Sequence, residues 1–197
     1  MGYNAALFDL LKWDDQEFFF RDYFFGNEAE RAALLARPDA DPDWKRFAQD
    51  ASSINANETE ERFFASGRNV SLVRHPRYFP FFLHRHAFFE MLYVATGGCT
   101  QVINGQEMHL ERGDLCLLAP DVEHGIKVFD DSMVLNILIR SSTFLDIFLN
   151  AVRDKSHISE FFLGSMYDRN KLPYLVFHTD GDRCSSSTSW ICTRSRS

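Results

Sequence analysis

Between about Asn69 and Arg140 the chain is a succession of short apolar or alternating runs: VSLVRH, FPFFLH, FFEMLYVA, CTQVI, EMHL, LCLLA, IKVF and MVLNILI. They are rich in Val, Ile, Phe and Tyr and are separated by turn residues, which is the cadence of a small antiparallel barrel or sandwich. Asn104-Gly105, lying between QVI and QEMHL, predicts a two-residue hairpin, because that turn needs positive φ at both positions. Arg112-Gly113-Asp114 and Gly97-Gly98 mark two more turns.

The flanks have a different period. Residues 1–67 read as a helical segment in which Asn27 and Glu30 stand in capping-box spacing and Pro38 closes the helix. Asp41-Pro42 has the form of an N-cap followed by proline at the first helical position, and Gly67 is a helix stop. Residues 68–140 are then the barrel, and 141–180 a helical segment with Phe144, Leu145, Phe148, Leu149 and Val152 on one apolar face. That face packs on the barrel or forms a dimer seam, and the pattern does not choose between them. Residues 181–197, with serines at 185–187, 189, 195 and 197, carry no apolar period and are expected to be a disordered tail.

Composition narrows the class. A chain of 197 residues with 45% hydrophobic content can bury a core, and a net charge of -7 lacks the basic footprint of a nucleic-acid binder. No stretch approaches the roughly 20 apolar residues that span a bilayer. The opening MGYNAALFDLLKWDD carries acids where a secretion signal carries lysines, and the four cysteines form no CxxC pair. These features lead to the expectation of a cytoplasmic protein with reduced thiols and no membrane partner.

Candidate chemistry sits in His84, His86, Glu90 and His124. His84 and His86 share a strand face. Glu90 has the same parity, yet six residues of regular strand span about 20 Å, so bringing it to the histidines demands a bend at residues 87–89. Such a set has three uses: the groups hydrogen-bond one another, contact a polar ligand, or hold a divalent metal, for which imidazole plus carboxylate suits Mn, Fe, Ni or Zn. Tyr93 has the opposite parity and faces away, and the phenylalanines at 79, 81, 82, 88 and 89 belong to the core. No GxSxG elbow, Walker loop, HExxH or dinucleotide fingerprint is present.

His84-x-His86-x3-Glu90-x6-Gly97, followed by Gly113-x6-Pro120-x3-His124-x11-Asn136, resembles the two cupin motifs. PFFLHRHAFFEMLYVATGG, the Asn104-Gly105 hairpin and GDLCLLAPDVEH resemble more narrowly the sensor domain of AraC-type transcriptional regulators, over about residues 69–180. The resemblance implies a mainly β fold with flanking helices, in which a jelly-roll-like cupin barrel takes a small effector and a C-terminal helical pair makes a homodimer. His84, His86, Glu90 and His124 are the expected ligand contacts, sugar-like hydroxyls suiting them as donors and acceptors. No catalytic residue and no resident metal are expected. The family's DNA contacts come from a helix-turn-helix region that would begin where this chain ends, so the chain is expected to be truncated before it and not to bind DNA itself. Asp121 departs from the second motif, which usually has glycine there. The alternative is a metal-dependent cupin enzyme, an oxygenase or isomerase, with the same four residues as metal ligands.

Overall fold

The computed structural model describes residues 12–51, 57–58, 60–143 and 173–178. The helical pair expected over 142–164 and the tail expected after 181 lie outside these residues, apart from a helical start at 141–143.

Local signals fix the N-terminal helices. Helix α1 (Asp15–Phe25) begins with a capping box in which Asp14 accepts from the Glu17 N–H at 2.9 Å and Glu17 accepts from the Asp14 N–H at 3.2 Å. Helix α2 (Glu28–Ala36) has the predicted box between Asn27 and Glu30, and α3 (Pro42–Gln49) has the predicted Asp41 cap with Pro42 in its first turn. Phe19 and Phe20 of α1 and Leu34 of α2 bury against Ala40 and Tyr78, with Trp13, Trp44 and Phe79 packed around them. The helices thus sit on the chain segment that leads into the first long hairpin. Glu17 ties them down: it is fully buried and accepts from the Arg77 backbone at 3.1 Å, the Arg77 guanidinium at 2.9 and 2.8 Å and Arg74 at 2.9 Å. Burial pushes the Glu17 carboxyl up, but the Arg77 hydrogen bonds and the charges of Arg74 and Arg77 outweigh it and hold the group below its ordinary range.

The remaining described elements are β1 (Asn57–Glu58), α4 (Glu60–Phe63), β2 (Val70–Arg74), β3 (Arg85–His86), β4 (Phe89–Thr96), β5 (Gly98–Ile103), β6 (Gln106–Glu111), β7 (Leu115–Leu118), β8 (His124–Lys127), β9 (Met133–Ile139) and β10 (Tyr174–Phe177). They form an antiparallel sheet in the order β10-β7-β4-β9-β2, a second in the order β6-β5-β8, and a short parallel pair β1-β3. Leu92, Val94, Cys116, Leu118, Val134 and Val176 of the large sheet and Cys99, Ile103, Leu110 and Ile126 of the small one make a single core. The two sheets therefore face each other as a jelly roll. Among the described residues they are not joined into one closed hydrogen-bonded barrel, so the barrel expected from the sequence is a two-sheet version of that fold.

Two departures from the sequence reading are informative. Tyr174–Phe177 falls inside the segment assigned to helices, yet it pairs with β7 as an edge strand and buries Leu175 and Val176. Four residues are too few to display a period-2 pattern against a helical background. Asn57–Glu58, inside the N-terminal helical segment, pairs in parallel with Arg85–His86.

The turns follow their residues. Asn104 and Gly105 have φ of 49° and 79°, the positive pair that a tight hairpin needs. Gly97 joins β4 to β5 at φ 69°, where an added Cβ would stand 2.0 Å from Ser132 Oγ.

Candidate functional site

The four predicted residues meet at one end of the jelly roll. Ligand atoms of His84, His86, Glu90 and His124 all lie within 4.8 Å of one another, with His86, Glu90 and His124 buried and His84 half-buried. The bend that this requires is present: β3 ends at His86, β4 starts at Phe89, and Ala87 and Phe88 turn the chain between them. Phe88 is buried at this corner against Phe63 and Phe64, ring centroids 5.4 and 5.3 Å away, and the Ser141 hydroxyl donates to Ala87 O at 2.7 Å. The corner is held by tertiary packing, which is why no glycine or proline advertises it.

His84 and His124 arrive by a separate route. Their backbones form an isolated antiparallel bridge, and Gly125 lets the 81–84 segment lie close against β8, since a Cβ there would fall 2.4 Å from Phe82 O. Asp121 takes φ 64°, so the position where the motif usually has glycine keeps the left-handed turn. Its N–H donates to His86 O at 2.8 Å, and Arg85 donates to its carbonyl at 3.0 Å, which anchors β3 beside the loop leading to His124.

The hydrogen bonds orient both buried imidazoles. His86 Nδ1 lies 2.8 Å from Phe88 O and His124 Nδ1 lies 3.0 Å from Val122 O, and a carbonyl can only accept, so each Nδ1 carries a proton. Each Nε2 then points at the same oxygen, Glu90 Oε2, at 2.8 and 3.0 Å. Burial pushes the Glu90 carboxyl up, but hydrogen bonds to His124 and His86 outweigh this and hold it well below the usual carboxylate range. An ionised carboxylate facing two Nε2 atoms is stable when those atoms bear protons or when a cation lies among them. Burial, reinforced by His124, pushes the His84 imidazole down to about 3, and its Nδ1 is buried with no partner.

Two interior side chains escaped the sequence reading. Gln101 on β5 is 1% exposed with neither amide atom hydrogen-bonded, and Asn136 on β9 has a buried, unpaired Oδ1. Asn136 stands out in the sequence only as a motif position, and a lone Gln in an alternating strand gives no signal that it points inward. Tyr93 is half in solvent, as its parity predicted, while Phe88 and Phe89 are buried and Phe79, Phe81 and Phe82 half-buried.

A two-sheet jelly roll that gathers a His-x-His-x3-Glu motif and a distant histidine at one end is a cupin-type fold. Residues 70–160 match the family model of the AraC-like ligand binding domain. No curated protein matches the chain. Among solved structures it is similar to a cupin protein from Bacteroides fragilis, at 28% identity over 38% of this chain and 66% of that one, with a TM-score of 0.32. It is also similar to KdgF from Halomonas sp., at 21% identity over 41% and 80% of the two chains with a TM-score of 0.34. A third likeness is a predicted oxalate decarboxylase from Thermotoga maritima, at 24% identity over 36% and 64% with a TM-score of 0.31. Among the described residues no helix is long and apolar enough to cross a membrane.

Proposed function

We propose that this chain is the effector-sensing part of an AraC-type transcriptional regulator, and that a small polar, sugar-like ligand binds between the two sheets at His84, His86, Glu90 and His124. One observation carries the reading: a segment that matches the ligand-binding family model places four hydrogen-bonding side chains within 4.8 Å of one another, mostly buried, in the mouth of a jelly roll. Such groups orient a small ligand, while the packed interior between the sheets supplies shape. Sensing then works by population shift, the ligand favouring one arrangement of sheets and helices over another. In this reading the protein is a homodimer, acts in the cytoplasm, performs no catalysis and influences DNA only through a region other than the cupin fold. A thermal-shift screen of neutral sugars tests it, because stabilisation grows with ligand concentration over Kd. A concentration-dependent rise in Tm with at least one sugar is expected, and a flat response across the panel overturns the reading.

A second reading has its own observation in favour. With both Nδ1 atoms donating to carbonyls, His86 and His124 in neutral form present Nε2 lone pairs to one point beside the Glu90 carboxylate, the arrangement that second-shell carbonyls impose on metal-binding imidazoles. His84, His86, Glu90 and His124 would hold Mn, Fe, Ni or Zn, which supplies Lewis-acid or oxygen-activating chemistry in a cupin enzyme. Elemental analysis of protein purified without chelator separates the two: near-stoichiometric metal supports the enzyme, and its absence supports the sensor.

A further inference from the structure

The Gln101 carboxamide and the Asn136 Oδ1, buried without partners, lie one layer deeper than the imidazole cluster. On the large sheet Glu90 pairs with Leu138 and Leu92 with Asn136, so Asn136 is the next inward position past Glu90, about 7 Å further along the strands. On the small sheet Ile103 pairs with His124 and Gln101 with Ile126, so Gln101 is the next inward position past His124. Their same-face neighbours Cys99, Ile103, Val134 and Leu138 are all buried, which fixes the inward direction of both side chains. Each sheet thus contributes one carboxamide to the interior directly beneath the predicted contacts.

Leaving such groups without partners is costly, and native interiors rarely do so. Gln101 leaves both a donor and an acceptor unpaired, Asn136 an acceptor, and His84 its Nδ1. Gln101 offers the donor and acceptor of one planar group, a pair that two adjacent hydroxyls complement, since each hydroxyl both donates and accepts. Gln101 Oε1 and Asn136 Oδ1 are acceptors without a donor, so a ligand that satisfies them must bring hydroxyl hydrogens. Neither carboxamide carries a charge, so this layer offers a charged ligand group no counter-charge.

We propose that Gln101 and Asn136 are specificity-determining contacts for a neutral polyhydroxy ligand, which reaches past the imidazole layer and presents vicinal hydroxyls to the Gln101 carboxamide and a further hydroxyl to Asn136 Oδ1. This rests on the sensing reading and names its ligand class. The test uses the full chain and its Gln101→Met and Asn136→Leu variants, both close in shape to the originals. Tm is measured alone and against titrated neutral aldopentoses, aldohexoses and their deoxy analogues. Without sugar, both variants are expected to melt at or above the wild-type temperature, because an unpaired polar group has left an apolar core. With the sugar that stabilises the wild type, the midpoint of the response is expected to move on the order of tenfold higher in each variant. Deoxy analogues are expected to lose affinity for the wild type and to differ little from the parent sugar for the variants. Unchanged sugar responses in both variants overturn this inference and leave the sensing reading standing. A sugar-free Tm well below wild type in both also overturns it, since the amides would then be structural groups. A wild type that answers no sugar overturns the sensing reading and this inference together.

Discussion

His84 and His124 donate their backbone N–H groups to each other's carbonyls at 2.9 and 3.0 Å, and their rings stand 4.2 Å apart between centroids. This reciprocal bridge joins the irregular 80–84 stretch to the end of β8 and brings the first motif's histidine against the second's. Gly125 makes the approach possible, because any Cβ there would be 2.4 Å from Phe82 O and 2.8 Å from the Phe81 ring.

Gly125→Ala is therefore expected to push the Phe81–His84 backbone off β8. Overpacking against a main-chain carbonyl costs about 1–3 kcal/mol, readable in urea denaturation. The ligand response should fall by more than this global loss implies, since His84 leaves the cluster while His86 and Glu90, carried by another corner, remain. A variant that keeps both wild-type stability and response would show that the close approach is not needed.

Asp121 holds φ 64° where a side chain is strained, and it keeps its N–H on His86 O at 2.8 Å. Asp121→Gly removes the steric penalty but leaves the unfolded chain more freedom, so the two effects partly cancel. The expected net is a gain of about 0.5 kcal/mol, seen as a small rise in Tm with an unchanged ligand response. A loss of stability would mean that the Asp121 side chain supports the turn.

Cys99 and Cys116 line the buried core between the sheets. Burial pushes the Cys99 thiol up to about 12 and raises Cys116 as well. Thiolate is the reactive form, so neither should be alkylated by iodoacetamide in native protein at neutral pH, while both should label in denaturant. Peptide mapping by mass spectrometry reads each site separately, and native labelling of either would contradict the packing between the sheets.

What the sequence discloses and what it hides divides along local and non-local physics. The Asn104-Gly105 hairpin, the Asn27–Glu30 capping box and the Asp41-Pro42 start are legible because a few neighbouring residues determine each. The membership of the site is legible through motif spacing. Its assembly is not: the corner at Ala87 and Phe88 is made by Phe63, Phe64 and Ser141, residues distant in sequence, with β1 paired alongside at β3. Gln101 is hidden for a related reason. A polar residue in an alternating run is taken to face solvent, and only the register of β5 against β6 and β8 turns it inward.

Glu17 combines a capping role with a buried ion cluster, and its removal tests whether the N-terminal helices are integral to the domain. Glu17→Gln preserves shape and the possibility of capping but leaves Arg77, itself buried, without its counter-charge. Breaking such a pair on one side costs about 3 kcal/mol near neutral pH. The sign of the pH dependence follows from the lowered folded-state pKa. Above the ordinary value of 4.5 the carboxylate is ionised in both states and its stabilisation is complete; as pH falls below 4.5 the unfolded state takes up the proton first, and the contribution is lost through the folded-state pKa. The stability gap between wild type and Glu17→Gln should therefore be constant from pH 7 down to about 5 and should close on further acidification, as measured by urea denaturation at each pH. A gap that stays the same below pH 4, or one that is absent at pH 7, would show that Arg74 and Arg77 do not depend on the Glu17 charge to hold α1 against the sheets.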